Sequence, residues 1–110
     1  MQINVLAEKL GWKLLTECDG SDRTADGCYC GDLLSWVMGR AKADDVWLTV
    51  MGNINAIAVA ALADVSAIVL VESASLDSEA LARANQQEIA VYSTEVPAYE
   101  NALHVDAALQ

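Results

Sequence analysis

The residues with the clearest capacity to bind a charged small molecule are Asp22, Arg23 and Thr24, which lie in a polar, turn-rich loop. An arginine guanidinium donates paired hydrogen bonds to phosphate or carboxylate oxygens, and an adjacent threonine hydroxyl can add another. Arg23 could instead pair with a carboxylate such as Asp22 or Asp26 and serve only to hold the loop in shape. We predict an anion site at this loop, with the structural ion pair as the alternative.

A second group of small polar residues follows the predicted strands or begins the helices after them. It comprises Gly31, Asp32, Asn53, Asn55, Ser73 and Thr94. The carboxyl ends of parallel strands meet at one edge of a sheet, where helix N-termini offer free N–H groups to ligands. Asp32, Asn53 and Thr94 could equally be ordinary helix N-caps, which need no ligand. We predict that the helix starts near Gly31 and Asn53 form one binding cleft with the Asp22–Thr24 loop. The chain has no Gly-x-Gly-x-x-Gly or Walker loop, so a nucleotide would be held in neither of these ways.

The cysteines and the single histidine form a third candidate group. Cys28 and Cys30 alternate along a predicted strand, which places both thiols on one face. Zinc binding would require Cys18 and His104 to join them, in a spacing that matches no common zinc site. A Cys-x-x-Cys redox motif is also absent. We therefore expect buried, inert thiols, no metal, no cofactor and no catalytic residue.

The elements that must position these residues alternate between helix and strand. Helices are predicted at 3–10, 32–39, 54–63, from 75 or 77 to 87, and from Pro97 onward; strands are predicted at 12–16, 28–30, 46–50, 67–71 and 89–93. This alternation is typical of an α/β fold with a mostly parallel central sheet of about five strands and helices packed on it. We expect one domain over residues 1–110, with no linker or repeat.

Composition excludes several classes of partner. A formal net charge of −10 with only six basic residues argues against nucleic acid and against anionic membrane surfaces. The most apolar stretch, 54–71, is interrupted by Asp64 and Ser66 and is better interpreted as a helix followed by a strand than as a membrane span. The amino terminus lacks the features of a signal peptide. Three cysteines, an odd number, favour a cytoplasmic location.

An ordered series of motifs along the chain resembles the DRTGG domain family. The series runs from Gly20-Ser21-Asp22-Arg23-Thr24-Ala25-Asp26-Gly27 through Tyr29, Gly31-Asp32-Leu33-Leu34-Ser35 and Val37-Met38-Gly39. It continues with Asp45-Val46-Trp47-Leu48-Thr49, Asn55, Ala58-Val59-Ala60, 67–71 and 89–94. The resemblance implies an α/β fold related to the N-terminal domain of HPr kinase/phosphorylase. It also implies relation to domains within phosphotransacetylases and CBS-containing pyrophosphatases, where DRTGG domains regulate or self-associate while other domains catalyse.

The chain departs from the family signature Asp-Arg-Thr-Gly-Gly after Thr24. Ala25 stands where the first glycine would be, and alanine adopts positive φ less readily than glycine. We expect the loop to shift by one residue, so that Asp26 and Gly27 make the turn.

Two functions of different classes remain open. The first is a non-catalytic regulatory domain that binds a nucleotide or another phosphorylated metabolite. The second is a homodimerisation or protein-interaction module without a small-molecule ligand, for which the outward-facing Trp36 is the main indication.

Overall fold

The computed structural model describes residues 1–110 and contains five strands and five helices. The strands are β1 (Lys13–Leu14), β2 (Gly27–Cys30), β3 (Asp45–Thr49), β4 (Ala67–Leu70) and β5 (Val91–Ser93). The helices are α1 (Ile3–Leu10), α2 (Leu34–Arg40), α3 (Ile54–Ala63), α4 (Ser78–Gln86) and α5 (Ala98–Leu109). No helix is long and apolar enough to cross a membrane.

The strands form one mixed, mostly parallel sheet in the order β1-β5-β4-β3-β2. Strands β2 to β5 are parallel, and each is joined to the next strand in space by a single helix. Strand β1 is the exception, because it runs antiparallel to β5 with Lys13 opposite Ser93. The predicted α/β class and the mostly parallel sheet are confirmed.

Helices cover both faces of the sheet, as the near-continuous apolar strands require. Strand β3 is buried throughout, with Val46 and Leu48 facing α1 and α5 and Trp47 facing the opposite layer. That opposite layer consists of α2, α3 and α4, which contribute buried residues such as Val37, Ile57 and Ala80. The sheet therefore presents its two ends, rather than its faces, to solvent.

Element boundaries follow local signals where those signals are strong. Helices α1 and α3 have the predicted bounds, and Gly11 ends α1 in the left-handed conformation with a φ of 74°. Strand β1 is much shorter than the predicted 12–16. Beyond Leu14 the Leu15 N–H donates to the Val91 carbonyl at 2.9 Å, and the Val91 N–H then donates to the Thr16 hydroxyl at 3.0 Å rather than to a backbone carbonyl.

Candidate functional site

The carboxyl edge of the sheet collects most of the predicted ligand residues. Because β2 to β5 are parallel, the segments that leave them all emerge at this edge. These segments carry Gly31, Asp32, Asn53, Ser73 and Thr94, and Asn55 is exposed in the first turn of α3. The structure thus places one of the two predicted groups of ligand residues along one edge of the sheet, but of this group only Ser73 and Thr94 line the same cleft.

Asp32 ties β2 to β3 instead of capping α2. Its Oδ1 accepts hydrogen bonds from the Thr49 hydroxyl at 2.7 Å and from the Val50 N–H at 3.0 Å. The residue at the N-cap of α2 is Leu33, which makes no side-chain cap. The capping alternative for Asp32 was wrong because a partner 17 residues away in sequence captures the carboxylate. The neighbouring Gly31 carbonyl accepts from Trp47 Nε1 at 2.9 Å, so this corner is largely satisfied within the protein.

Asn53 is the N-cap of α3, as predicted. Its Oδ1 accepts from the Ala56 N–H at 2.9 Å. A shallow cavity of about 420 Å³ lies between the starts of α3 and α4, where Asp77 and Glu79 line it beside Asn53. The negative charges of Asp77 and Glu79 would repel a phosphate, so this cavity is a poor site for a phosphorylated ligand.

A more suitable cleft, about as shallow, lies at the ends of β4 and β5, with a volume of about 480 Å³. Ser73, Ser93 and Thr94 line one part of it, and the Ser73 N–H donates to the Thr94 carbonyl at 2.9 Å. The Thr94 hydroxyl accepts from the Val96 N–H at 3.2 Å, so Thr94 shapes the loop that leads to α5 rather than capping the helix. Its predicted cap role was wrong, since the N-cap position belongs to Pro97.

Lys13 supplies the positive charge of this cleft, and Glu95 is the acidic residue in its lining. The ion pairs of the protein are those of Arg23 with Asp44 and Asp64, so the Lys13 ammonium is uncommitted. Leu10 and Val96 form the apolar part of the cleft wall. Lys13 was not among the predicted site residues, because nothing local in the sequence indicates that β1 pairs with β5.

The Asp22–Thr24 loop lies at the opposite, amino edge of the sheet. Arg23 Nη2 donates to Asp44 Oδ1 at 3.0 Å and to the Asp64 carbonyl at 2.8 Å, and Nη1 lies 3.1 Å from Asp64 Oδ1. Asp44 immediately precedes β3, and Asp64 ends α3 just before β4. Four or five residues of strand, at about 3.3 Å each, separate this loop from the carboxyl edge. The predicted cleft shared by the loop and the helix starts near Gly31 and Asn53 was therefore wrong.

Arg23 instead has the structural role that was the alternative, although its partners are not the expected Asp22 or Asp26. Asp22 is exposed and Thr24 forms a backbone bridge with Gln2. The predicted turn at Asp26 and Gly27 was also wrong. The turn spans Gly20 to Arg23, closed by the Arg23 N–H to the Gly20 carbonyl at 2.9 Å.

Gly20 explains the position of that turn. Its φ is 74°, and a Cβ on it would lie only 2.0 Å from Ile3 Cγ2 of the core. Gly27, in contrast, begins β2 and has no positive φ. The residue whose positive φ needs glycine thus precedes the Asp-Arg-Thr motif, and Ala25 after the motif has no positive φ.

The cysteines and His104 do not converge. No group of three or more His, Cys, Asp or Glu side chains could hold a metal ion. His104 is exposed on α5. Cys18 and Cys28 are partly buried, but Cys30 is exposed, so the expectation of buried thiols was wrong for Cys30.

Comparison with known proteins supports the fold. No family model and no curated protein matches the chain. A similar solved structure is that of the CBS and DRTGG domains of the regulatory region of Clostridium perfringens pyrophosphatase, complexed with its activator diadenosine tetraphosphate. The TM-score is 0.67 at 10% sequence identity, over 99% of this chain and 46% of that chain. The chain therefore has a DRTGG-like fold and spans less than half the length of that structure.

Proposed function

We propose that the chain is a non-catalytic regulatory domain that senses a nucleotide or another phosphorylated metabolite. The observation that carries the proposal is the cleft at the ends of β4 and β5, whose lining combines Lys13, which forms no ion pair, with the hydroxyl-bearing residues Ser73, Ser93 and Thr94. An ammonium and hydroxyls are suitable partners for phosphate oxygens. The volume of about 480 Å³ lies within the usual range for small-molecule sites.

The nucleotide class is supported by the apolar part of the same cleft and by the fold comparison. Leu10 and Val96 offer apolar surface beside the polar groups, which a base could cover while its phosphates reach Lys13. The similar pyrophosphatase region is one that binds a dinucleotide activator. We include Asn53, Asn55, Gly31 and Asp32 as neighbours along the same edge, and we place the Asp22–Thr24 loop outside the site.

The test is a thermal-shift series with ATP, diadenosine tetraphosphate, acetyl phosphate and inorganic phosphate as probes. A probe at about one hundred times its dissociation constant stabilises the folded state by about 2.7 kcal/mol. For a domain of this size that corresponds to a rise in Tm of roughly 10–20 °C. Lys13→Gln should weaken binding by about ten-fold or more, since a hydrogen bond to a charged group is worth about 1.5–3 kcal/mol.

Two variants serve as controls for position. Lys9→Gln removes an exposed lysine from the last turn of α1, outside the cleft, and should leave the ligand-induced shift intact. Arg23→Gln should lower the Tm of the free protein but preserve the shift, because Arg23 lies at the opposite edge. Absence of a shift with all probes, or its loss in Arg23→Gln and not in Lys13→Gln, would refute the proposal.

A homodimerisation or docking role is the second candidate, and a separate surface favours it. Leu33 and Trp36 at α2 are 58% and 52% exposed, with the Arg40 guanidinium 3.7 Å from the centre of the Trp36 ring. Exposed aromatic and arginine side chains are enriched in protein interfaces. Light scattering at increasing concentration should then show a dimer that Trp36→Ser converts to monomer, whereas a constant monomer mass rejects self-association.

Two broader assignments complete the proposal. We propose that residues 1–110 act as one domain, since a single sheet with helices on both faces accounts for every element. We also propose a cytoplasmic setting, which the three unpaired cysteines favour.

A further inference from the structure

Strand β2 is an edge strand with an open outer side. It pairs only with β3, and the Gly31 N–H donates to the Leu48 carbonyl at 3.2 Å. Alternate residues of a parallel strand direct their backbone groups to the same neighbour. Tyr29 and Gly31 therefore face β3, while the N–H and carbonyl groups of Cys28 and Cys30 point outward. No turn or loop hydrogen bond of the backbone uses these outward groups, so they are free to pair with another strand.

The two edge strands of the sheet are protected unequally against such pairing. Strand β1 has two residues, one of which is Lys13, and both short length and lysine keep an edge strand from pairing with another chain. Strand β2 has four residues, Gly27–Cys30, with neither a charged residue nor a proline among them. The edge strand β2 is thus the one built to accept a further strand.

The segment around β2 is nearly free of the negative charge that dominates the chain. The net charge is −10, but residues 27–39 contain a single charged residue, Asp32. Its Oδ1 already accepts hydrogen bonds from the Thr49 hydroxyl and the Val50 N–H. Like charges directly opposite each other on paired strands are destabilising. Two copies of this acidic chain can therefore pair through β2 without placing charged strand residues against each other.

A groove of about 410 Å³ lies beside the amino end of β2. Arg40 and Lys42 line it, and neither forms an ion pair. Asp26 is its exposed carboxylate, whereas Asp45 is buried and accepts from the Lys42 N–H at 2.8 Å. The Arg40 guanidinium also covers the exposed Trp36 ring, so the groove continues into the apolar surface of α2. It thus combines positive charge with apolar surface.

Antiparallel pairing of two β2 strands uses both the open backbone groups and this groove. With Tyr29 opposite the partner's Tyr29, Cys28 lies opposite the partner's Cys30, and these two residues exchange both N–H···O bonds. The two-fold axis repeats the same pair of bonds on its other side. The register also brings Asp32 and the exposed Leu33, which follow β2, toward the partner's groove with its two cations.

We propose that two copies of the chain associate through antiparallel pairing of their β2 strands, about a two-fold axis at Tyr29, so that the two sheets become one. A second copy is the occupant because the uncharged strand and the basic groove at one end complement the acidic and apolar residues at the other end. A standard interface buries about 800 Å² per partner, so the exposed Leu33 and Trp36 must add area to the short strand. This inference rests on the homodimerisation candidate and not on the ligand cleft.

The first test is amide hydrogen exchange at increasing protein concentration, with the mass followed by sedimentation velocity. As the dimer forms, the N–H groups of Cys28 and Cys30 should exchange about ten-fold more slowly. Tyr29 and Gly31 lie in the same segment but face β3, so they serve as the internal control and should change little.

Variants then separate strand pairing from folding. Cys30→Pro removes one outward N–H and should yield a monomer, whereas Cys30→Ala keeps that N–H and should remain a dimer. Leu33→Asp alters a side chain that is 58% exposed, so it tests the interface without disturbing the core, even where Cys30→Pro lowers the Tm. It should raise the dissociation constant of the dimer about ten-fold or more, because it buries an unpaired charge. Leu62→Asp, at a 72% exposed leucine of α3, is the matched control and should leave the dimer intact.

The outcomes distinguish this inference from the proposal on which it rests. A monomer at every concentration overturns both the edge pairing and the homodimerisation candidate. A dimer in which the Cys28 and Cys30 amides exchange as fast as in the monomer overturns the edge pairing alone. A dimer that persists in both Cys30→Pro and Leu33→Asp does the same.

Discussion

Asn101 is the buried polar residue whose loss should cost the most. It lies on α5, is 1% exposed, and accepts from Trp12 Nε1 at 3.0 Å while donating to the Val96 carbonyl at 2.9 Å. Asn101→Ala removes both hydrogen bonds and leaves the indole N–H of Trp12, itself 7% exposed, without its partner. An unsatisfied buried group costs about 1–3 kcal/mol. Adding the second lost bond and a small void, we expect a loss of about 2–4 kcal/mol in the free energy of unfolding.

That loss is large for a domain whose whole stability is about 5–15 kcal/mol. It corresponds to a fall in Tm on the order of 10–30 °C, measurable by far-ultraviolet circular dichroism and confirmed by urea unfolding. Asn85→Ala is the matched control: the amide oxygen of the half-buried Asn85 also accepts a hydrogen bond, from the Glu17 N–H at 3.0 Å, but that bond is exposed to solvent. We expect a loss below about 1 kcal/mol there. Equal, small losses in the two variants would refute the reasoning that Asn101 holds α5 through a buried network.

Two further predictions concern a close contact and a titrating group. Gly52→Ala should lose about 1–3 kcal/mol in the free energy of unfolding, because the new Cβ would lie 1.9 Å from the Ser75 carbonyl oxygen. In Gly39→Ala the new Cβ meets nothing within 4 Å, so this variant should instead gain about 0.5–1 kcal/mol in the free energy of unfolding, because alanine is the better helical residue. Urea midpoints that move in the same direction in both variants would contradict this prediction. Burial, with Asp19 and Cys18 nearby, raises the pKa of Tyr92 to about 12, so its contribution to stability is complete below about pH 10 and is lost as pH rises through 12. Between pH 9 and 12, the urea midpoint of Tyr92→Phe should fall less steeply with pH than that of the unaltered protein. Parallel curves for the two proteins would contradict the raised pKa of Tyr92.

The parts of the structure that the sequence predicts well depend on neighbouring residues. Gly11 ends α1 and Asn53 caps α3, each through atoms at most four residues away. Helix and strand alternation is likewise local, and it was enough to predict a mostly parallel sheet.

The errors arise where partners are distant in sequence. Arg23 binds residues 21 and 41 positions away, and Asp32 binds Thr49. Composition shows that these polar groups need partners but not which partners the topology supplies. Lys13 was overlooked for the same reason, since only the antiparallel pairing of β1 with β5 places it beside Ser93.

The two edges of the sheet differ in how their polar groups are used, and this difference is our reason for proposing ligand binding at the carboxyl edge. At the amino edge, the Arg23 guanidinium forms ion pairs with Asp44 and Asp64. At the carboxyl edge, side-chain bonds of Asp32 and Asn53 and backbone bonds, such as that from the Ser73 N–H to the Thr94 carbonyl at 2.9 Å, order the loops without using Lys13. The Lys13 ammonium consequently stays free on a frame that is already ordered. A phosphate contact on such a frame requires no ordering of the backbone, so its main conformational cost is the ordering of the exposed Lys13 side chain.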